Sequence, residues 1–173
     1  MRTRTAVAAD ADALGLVHVR TWQAAYRGLM AQSYLDGLDP ERRADGWRRW
    51  LDELEPPRAI FVLEHPADGV VGFANVGASR DPDATPVVGE LSSIYVLPSH
   101  WGRGGGRLLM AEAVRSLAQA GFRAATLWVL TTNEQARRFY ETVGWLPDGG
   151  EKVDEYFGFP IAEVRYRRSL TGA

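Results

Sequence analysis

Apolar positions recur along this chain with two spacings, one typical of helices and one of strands. In the clearest helical segment, 133–143, apolar side chains recur every three or four residues and Gly144 follows as a terminator. Runs rich in β-branched and aromatic residues instead predict strands, and Asp68-Gly69 predicts a hairpin turn between two of them. The patterns predict helices over 10–26, 31–38, 40–54, 107–120 and 133–143, and strands over 2–7, 59–64, 70–76, 87–97, 124–130, 145–147 and 162–168.

The order of these elements predicts the fold class. One strand, a group of helices, three strands and then alternating helices and strands indicate an α/β or α+β protein with a mixed sheet and helices on its faces. A length of 173 residues suits one domain, 1–173, with a substantial core. The hydrophobic fraction of 46% and the charged fraction of 24% are typical of globular proteins.

Charge and composition exclude several classes of function. The net charge of −2 gives no electrostatic reason to expect a nucleic acid or a membrane as partner. No segment resembles a signal peptide or reaches the ~20 apolar residues of a membrane span, so we expect a cytoplasmic protein. The absence of cysteine excludes disulfides and a thiol nucleophile, and the three histidines lack metal-ligand spacing, so no metal is expected.

A glycine-rich turn lies between the strand predicted over 87–97 and the helix that follows it. Glycine can adopt positive φ and lets a ligand approach the backbone. The first N–H groups of a helix and the positive end of its dipole attract phosphate oxygens. The turn therefore predicts an anion site built from Gly102, Arg103, Gly104, Gly105, Gly106 and Arg107.

Two familiar glycine motifs do not match this turn. A dinucleotide fingerprint requires glycine three positions after its second glycine, where this chain has Arg107 or Leu109. A P-loop requires Lys and then Ser or Thr after its last glycine, where this chain has Arg107 and Leu108. The turn instead resembles the pyrophosphate-binding turn of the GCN5-related N-acetyltransferase (GNAT) superfamily: Gln or Arg, two residues, Gly, any residue, then Gly or Ala. Both glycine positions match, and Trp101 stands where the family has Gln or Arg.

A second segment, 131–145, resembles the family's other cofactor motif. That motif is Asn, six residues, Tyr, and then a glycine followed by an aromatic residue, which Asn133, Tyr140, Gly144 and Trp145 match. Seven residues at ~100° each return to nearly the same helix face, so Asn133 and Tyr140 should point the same way. An alternative stays open, in which Asn133 is only a helix cap and Tyr140 only a member of the apolar stripe.

The resemblance implies a GNAT-like acyl-CoA N-acyltransferase fold, with a central mixed, mostly antiparallel sheet flanked by helices. It implies acetyl-CoA as co-substrate, without a metal, and it is compatible with a homodimer. In this family the glycine turn binds the pyrophosphate, and main-chain groups of the preceding strand hold the thioester. Those groups map onto Ile94, Tyr95 and Val96. Asn133 would bond the pantetheine or phosphate region, and Tyr140 would protonate the departing thiolate.

Glu90 is the predicted general base. With ideal strand alternation it shares a face with Ser92, Ile94 and Val96, and a buried carboxylate near the thioester could take the proton of an attacking amine. The alternative is that Glu90 lies at the exposed start of its strand or pairs with an arginine. Another position where the family places a catalytic Glu, in the strand before the Asn motif, holds Trp128.

The predicted function is acetyl transfer from acetyl-CoA to a primary amine of a small molecule or peptide, by direct attack in a ternary complex. The resemblance places the acceptor between the N-terminal helices and the sheet, where Trp22 and Tyr26 are spaced i, i+4 and could bind an amine through cation–π contact. Core packing is the alternative for both aromatic residues. Because Trp101 and Trp128 depart from the family pattern, the alternative function is a non-catalytic acyl-CoA-binding or regulatory module.

Overall fold

The chain folds into a seven-stranded sheet with helices on both faces, in a computed structural model that describes residues 1–156 and 159–171. The strands are β1 Arg2–Thr5, β2 Ala59–His65, β3 Gly69–Ala78, β4 Val88–Val96, β5 Ala124–Leu130, β6 Leu146–Tyr156 and β7 Phe159–Ser169. The α-helices are α1 Ala11–Ala25, α2 Gln32–Asp36, α3 Pro40–Asp52, α4 Gly105–Gln119 and α5 Glu134–Thr142. Short 3₁₀ turns occupy Ala8–Asp10 and Pro98–His100.

The strand order is β1-β2-β3-β4-β5-β7-β6, and every neighbouring pair is antiparallel except β4 and β5. The predicted mixed, mostly antiparallel sheet is therefore confirmed. The parallel pair is short, because only Val88 to Glu90 pair with Ala124 to Thr126. Beyond these residues the two strands separate, and a cleft opens between their carboxyl ends.

Helices cover the two faces of the sheet with separate sets of apolar side chains. On one face Leu14 and Val17 of α1 pack with Trp47 of α3 against the sheet. On the other face Leu109 and Leu117 of α4 join a larger cluster that includes β4 and β5. The cleft between β4 and β5 thus lies between two packed layers. No helix in the described part of the chain is long and apolar enough to cross a membrane.

The crossing of α1 and α3 depends on a glycine. A Cβ atom added to Gly15 would lie 2.5 Å from the carbonyl oxygen of Pro40 and 2.8 Å from the amide nitrogen of Ala44. Both distances are shorter than van der Waals contact, and both atoms belong to the backbone of the neighbouring helix. Gly15 therefore allows the two helices to approach closely.

Strand β4 differs from the ideal alternation that the sequence predicts. In the register of β3 and β4, Asn75 lies opposite Ser93 and Val76 opposite Leu91, so Ser92 is the extra residue of a β-bulge. Glu90 therefore shares a face with Ser93 and Tyr95, not with Ile94 and Val96 as predicted. The bulge turns the Glu90 side chain toward the face of the sheet that α1 covers, while Leu91 and Ile94 join the cluster under α4.

The last two strands are longer than predicted. The sequence predicts strands over 145–147 and 162–168, whereas β6 and β7 each contain 11 residues and pair with each other. Polar residues dominate β6 because it is the edge strand, and a register shift between Pro147 and Glu151 interrupts its alternation. Both features hide the period-2 pattern by which strands are recognised.

Candidate active site

A cavity of about 470 Å³ occupies the cleft between the separated ends of β4 and β5. This volume lies within the ~300–1,000 Å³ range of small-molecule sites. Among the residues predicted from the sequence, only Arg103 is outside its lining. The predicted residues that line it are Trp22, Tyr26, Glu90, Ile94, Tyr95, Val96, Gly102, Gly104, Gly105, Gly106, Arg107, Asn133 and Tyr140.

The glycine turn forms one end of the cavity. Gly102 and Gly104 have φ of 71° and 82°, a region that glycine adopts without strain, and Gly104 is the N-cap of α4. The first intrahelical bonds run from the N–H groups of Arg107 and Leu108 to the carbonyl of Gly104. The N–H groups before Arg107 therefore precede the hydrogen-bonded ladder of the helix and can bind an anion.

The end of β4 presents main-chain groups to the same cavity. Hydrogen bonds alternate along an antiparallel pair, and the Leu97 N–H donates to the Val71 carbonyl at 2.8 Å. The peptide groups of Val96 and Ile94 therefore face away from β3 and toward the cleft. Those of Tyr95 face β3, so Tyr95 lines the cavity through its side chain.

Trp101, the residue that departs from the family pattern, holds the end of β4 in place through a hydrogen bond. Its indole Nε1 donates to the carbonyl oxygen of Val96 at 2.6 Å, and the Thr21 hydroxyl donates to the same oxygen at 3.2 Å. The ring also packs against the cluster under α4. Trp101 thus joins the glycine turn to the end of β4, and Thr21 joins α1 to it.

Asn133 is the N-cap of α5 and also lines the cavity. Its side-chain oxygen accepts a hydrogen bond from the Ala136 N–H at 3.1 Å. The cap that the sequence left as an alternative is therefore present, and it uses only the oxygen of the side-chain amide. The NH₂ group of this buried residue is a further donor for a ligand.

Tyr140 lies two helical turns from Asn133 and combines two roles that the sequence treated as alternatives. Its ring packs against the cluster under α4 and also lines the cavity. Burial, together with the nearby Tyr95, raises the pKa of the Tyr140 phenol well above its usual value. The phenol therefore stays protonated at neutral pH and can donate a hydrogen bond or a proton.

Glu90 is buried on the cavity wall and is paired with an arginine. Its carboxylate accepts hydrogen bonds from Arg80 Nη2 at 2.7 Å and from the Arg80 main-chain N–H at 3.1 Å. The pairing that the sequence left open is therefore present. These charge-assisted hydrogen bonds fix the position of the Glu90 carboxylate on the cavity wall.

Sequence reasoning missed a second carboxylate at this end of the cavity. Glu163 of β7 lines the cavity, and burial raises its pKa although the nearby Lys152 opposes the shift. The Lys152 ammonium lies 3.2 Å from Glu163 and 4.6 Å from the centroid of the Trp128 ring. The Trp128 indole in turn donates to Asp81 at 2.8 Å.

Correct strand boundaries would have revealed two of the missed residues. Lys152 and Glu163 lie directly opposite each other in the β6–β7 register, so opposite charges on two paired strands were the available signal. Thr21 gave no such signal, because its hydrogen bond to Val96 joins residues 75 positions apart.

The predicted acceptor residues line the same cavity and contact each other. The rings of Trp22 and Tyr26 are 5.1 Å apart and nearly perpendicular. The Trp22 ring also lies 6.5 Å from that of Tyr95. Both residues are half-buried, pack against each other and line the cavity.

Comparison with known proteins agrees with this geometry. The acetyltransferase (GNAT) family matches residues 20–145, which is more than half of the chain. The chain belongs to this family. The acetyltransferase is 30% identical over 164 residues to YuaI, an uncharacterized N-acetyltransferase of Bacillus subtilis, with 95% of this chain and 87% of YuaI covered.

Two further comparisons concern a shorter match and a solved structure. The acetyltransferase is 33% identical over 98 residues to the mycothiol acetyltransferase of Kocuria rhizophila, which covers 56% of this chain and 31% of that protein. Its fold resembles that of yncA, a putative acetyltransferase from Salmonella typhimurium solved with its cofactor acetyl-CoA. That similarity has a TM-score of 0.73 at 22% identity and covers 100% of this chain and 95% of yncA.

The predicted family, fold and enzyme class are thus confirmed. The chain is an acetyl-CoA-dependent N-acetyltransferase.

Proposed function

We propose that this acetyltransferase transfers the acetyl group of acetyl-CoA directly to a primary amine of a small molecule or peptide, with both substrates bound together. One observation carries the proposal: a single cavity joins the glycine turn, the exposed peptide groups of β4, Tyr140 and Glu90. Direct transfer also fits a chain that has no cysteine to carry an acyl group.

Acetyl-CoA would lie along the cleft with its pyrophosphate on the glycine turn. The main-chain N–H groups between Gly102 and Arg107 supply donors at the N-terminus of α4. The pantetheine arm would then follow the peptide groups of Ile94 and Val96, much as a short strand adds to an open sheet edge. Because Trp101 and Thr21 bond the Val96 carbonyl, Ile94 and the Val96 N–H are the groups left for the ligand.

In the proposed reaction the amine nitrogen attacks the thioester carbon. Glu90 first takes one proton from the acceptor ammonium, directly or through water, which leaves the free amine. A C–N bond then forms, the C–S bond breaks, and the second proton that the nitrogen loses passes to solvent water. Tyr140 donates its proton to the departing CoA thiolate. Trp22 and Tyr26 provide aromatic faces on which the acceptor amine could rest before it loses its proton.

The test measures acetyl-CoA binding and CoA release for the wild type and for Tyr140→Phe, across a panel of amines. Tyr140→Phe should lower kcat by about 10²-fold or more, because general acid catalysis contributes ~10²–10⁴-fold. The Kd for acetyl-CoA should change less than about threefold, since the ring is retained.

Tyr166→Phe is the matched control. The Tyr166 ring lies 6.1 Å from that of Tyr140, but its hydroxyl bonds Glu141 and Arg137 outside the cavity. Turnover should survive this change. If Tyr140→Phe turns over as fast as the wild type, Tyr140 is not the acid, and if acetyl-CoA binds while no amine releases CoA, the chain is a binding module.

A further inference from the structure

Two histidines and an aspartate meet at the border of the acetyl-CoA cavity, beside the turn between β2 and β3. The Asp68 carboxylate oxygen Oδ2 lies 2.9 Å from His65 Nδ1 and 3.0 Å from His100 Nε2. The two imidazole rings are 5.0 Å apart. One ligand atom from each of the three residues lies within 4.8 Å of the others.

These residues come from two separate segments of the chain. His65 ends β2 and Asp68 lies in the hairpin turn, whereas His100 closes the 3₁₀ turn that leads into the glycine turn. The His100 side chain is only 6% exposed, and its Nδ1 lies 2.9 Å from the Ser99 hydroxyl. When Nδ1–H donates to that hydroxyl, Nε2 presents a lone pair toward Asp68, an arrangement typical of metal-ligating histidines.

The geometry points to a binding site for a zinc-like divalent cation formed by His65, Asp68 and His100. Two imidazole nitrogens and one carboxylate oxygen form a donor set that Zn²⁺ accepts, with water as fourth ligand. Zn–N and Zn–O bonds of about 2.0–2.1 Å in a tetrahedron place ligand atoms about 3.3 Å apart. The two contacts to Asp68 would therefore open by a few tenths of an ångström.

The side chains that must move are the accessible ones. Asp68 is 52% exposed, and His65 lies on the same hairpin. The existing contact from the Ala67 N–H to His65 Nδ1 is long, at 3.4 Å, so little is lost when Nδ1 turns to a cation. A bound cation would cross-link the β2–β3 hairpin to the 3₁₀ turn Pro98–His100, which precedes the glycine turn. His100 borders both sites, because it also lines the acetyl-CoA cavity.

The test uses the full chain without a histidine tag, freed of metal by a chelator. Zn²⁺ is titrated in competition with a chromophoric chelator, and Co²⁺ absorption reports the geometry. We expect one Zn²⁺ per chain, tetrahedral Co²⁺ bands, and a rise in the unfolding temperature with Zn²⁺. His65→Ala and Asp68→Asn should each weaken Zn²⁺ binding by about tenfold or more.

Three variants distinguish a metal site from a hydrogen-bonded contact, a clamp, between the same side chains. Asp68→Asn keeps the shape and hydrogen-bonding capacity of the side chain, so a clamp would survive it and a metal site would not. Glu151→Gln removes an exposed carboxylate of β6, and His18→Phe removes a histidine from α1; both should bind Zn²⁺ like the wild type. Absence of Zn²⁺ binding to the wild type, or wild-type affinity in either His65→Ala or Asp68→Asn, overturns the proposal.

Discussion

At the scale of single residues, the position that departs most clearly from the family pattern has a structural role of its own. Trp101 stands where the family's turn begins with Gln or Arg, yet its indole donates a hydrogen bond to the Val96 carbonyl and its ring packs against the core. Trp101 instead fixes the main chain along which we propose that the cofactor binds. The turn keeps its N–H donors, because they belong to the backbone.

Trp101→Phe should therefore weaken acetyl-CoA binding without unfolding the protein. The change removes one hydrogen bond and leaves the Thr21 bond to the same carbonyl, a loss of about 0.5–1.5 kcal/mol. Calorimetry should show the Kd for acetyl-CoA rise about three- to tenfold. Trp50→Phe is the control, since Trp50 is half exposed on α3, away from the cavity. An unchanged Kd in Trp101→Phe would contradict the claim that the Trp101 hydrogen bond positions the end of β4 for acetyl-CoA.

The roles of the two carboxylates that line the cavity, Glu90 and Glu163, can be distinguished by a pair of variants. Glu90→Gln should lower kcat by about 10²-fold through loss of the base, while the Kd for acetyl-CoA stays near that of the wild type. Glu163→Gln should affect kcat less, because Glu163 takes no proton in the proposed reaction. A larger loss of kcat in Glu163→Gln than in Glu90→Gln would transfer the role of base to Glu163.

At the scale of elements, the spacing between α1 and α3 depends on the missing side chain of Gly15. Gly15→Ala should lower the free energy of unfolding by about 2 kcal/mol or more, because its Cβ would overlap backbone atoms of Pro40 and Ala44. Gly46→Ala is the matched control. A Cβ at Gly46 meets nothing within 4 Å, so this change should stabilise α3 by about 0.5–1 kcal/mol. Urea denaturation measures both, and equal effects would contradict the close packing.

Elements with a regular period were predictable, and those interrupted by irregularities were not. β5 matches its predicted range of 124–130, and α5 lies within one residue at each end of its predicted range, since their apolar periods are unbroken. Most of β6 was not predicted, because Gly149, Gly150 and a bulge interrupt its alternation. The bulge at Ser92 likewise reversed the predicted face of Glu90. A bulge depends on how two strands pair, and one strand's sequence does not reveal it.

At the scale of the whole molecule, aromatic side chains from α1, α3 and the sheet enclose a histidine. The His18 ring lies within 5.2–6.1 Å of the rings of Trp22, Trp47, Phe73 and Tyr95. Neither of its nitrogens has a hydrogen-bond partner among the described residues. Burial, with a smaller contribution from the charge of Arg43, lowers the pKa of His18 to about 3.

This buried imidazole should make the protein sensitive to mild acid. Unfolded His18 binds a proton near pH 6.5, whereas the folded residue binds it only near pH 3. Between these values the unfolded state binds more protons, so stability falls as the pH falls. From pH 6.5 to 4 the loss from this residue is roughly 3 kcal/mol.

Thermal unfolding between pH 4 and 7.5 checks this prediction. The unfolding temperature of the wild type should decrease through this range, and His18→Phe, which keeps an aromatic ring without a titratable group, should flatten the decrease. The ion pair of Arg4 and Asp10 loses its stabilising effect mainly below pH 3.8, the ordinary pKa of an aspartate, because the arginine lowers the pKa of Asp10 in the folded state. Equal pH profiles for the two proteins would contradict the assignment to His18.

A crystal structure of the protein with bound CoA tests the proposed site most directly. We predict pyrophosphate oxygens within about 2.7–3.2 Å of main-chain nitrogens between Gly102 and Arg107. We also predict the pantetheine arm along Ile94 and Val96, and the sulfur beside the Tyr140 hydroxyl. A pyrophosphate bound away from the glycine turn, or a sulfur on the far side of the cavity from Tyr140, would contradict the proposed site.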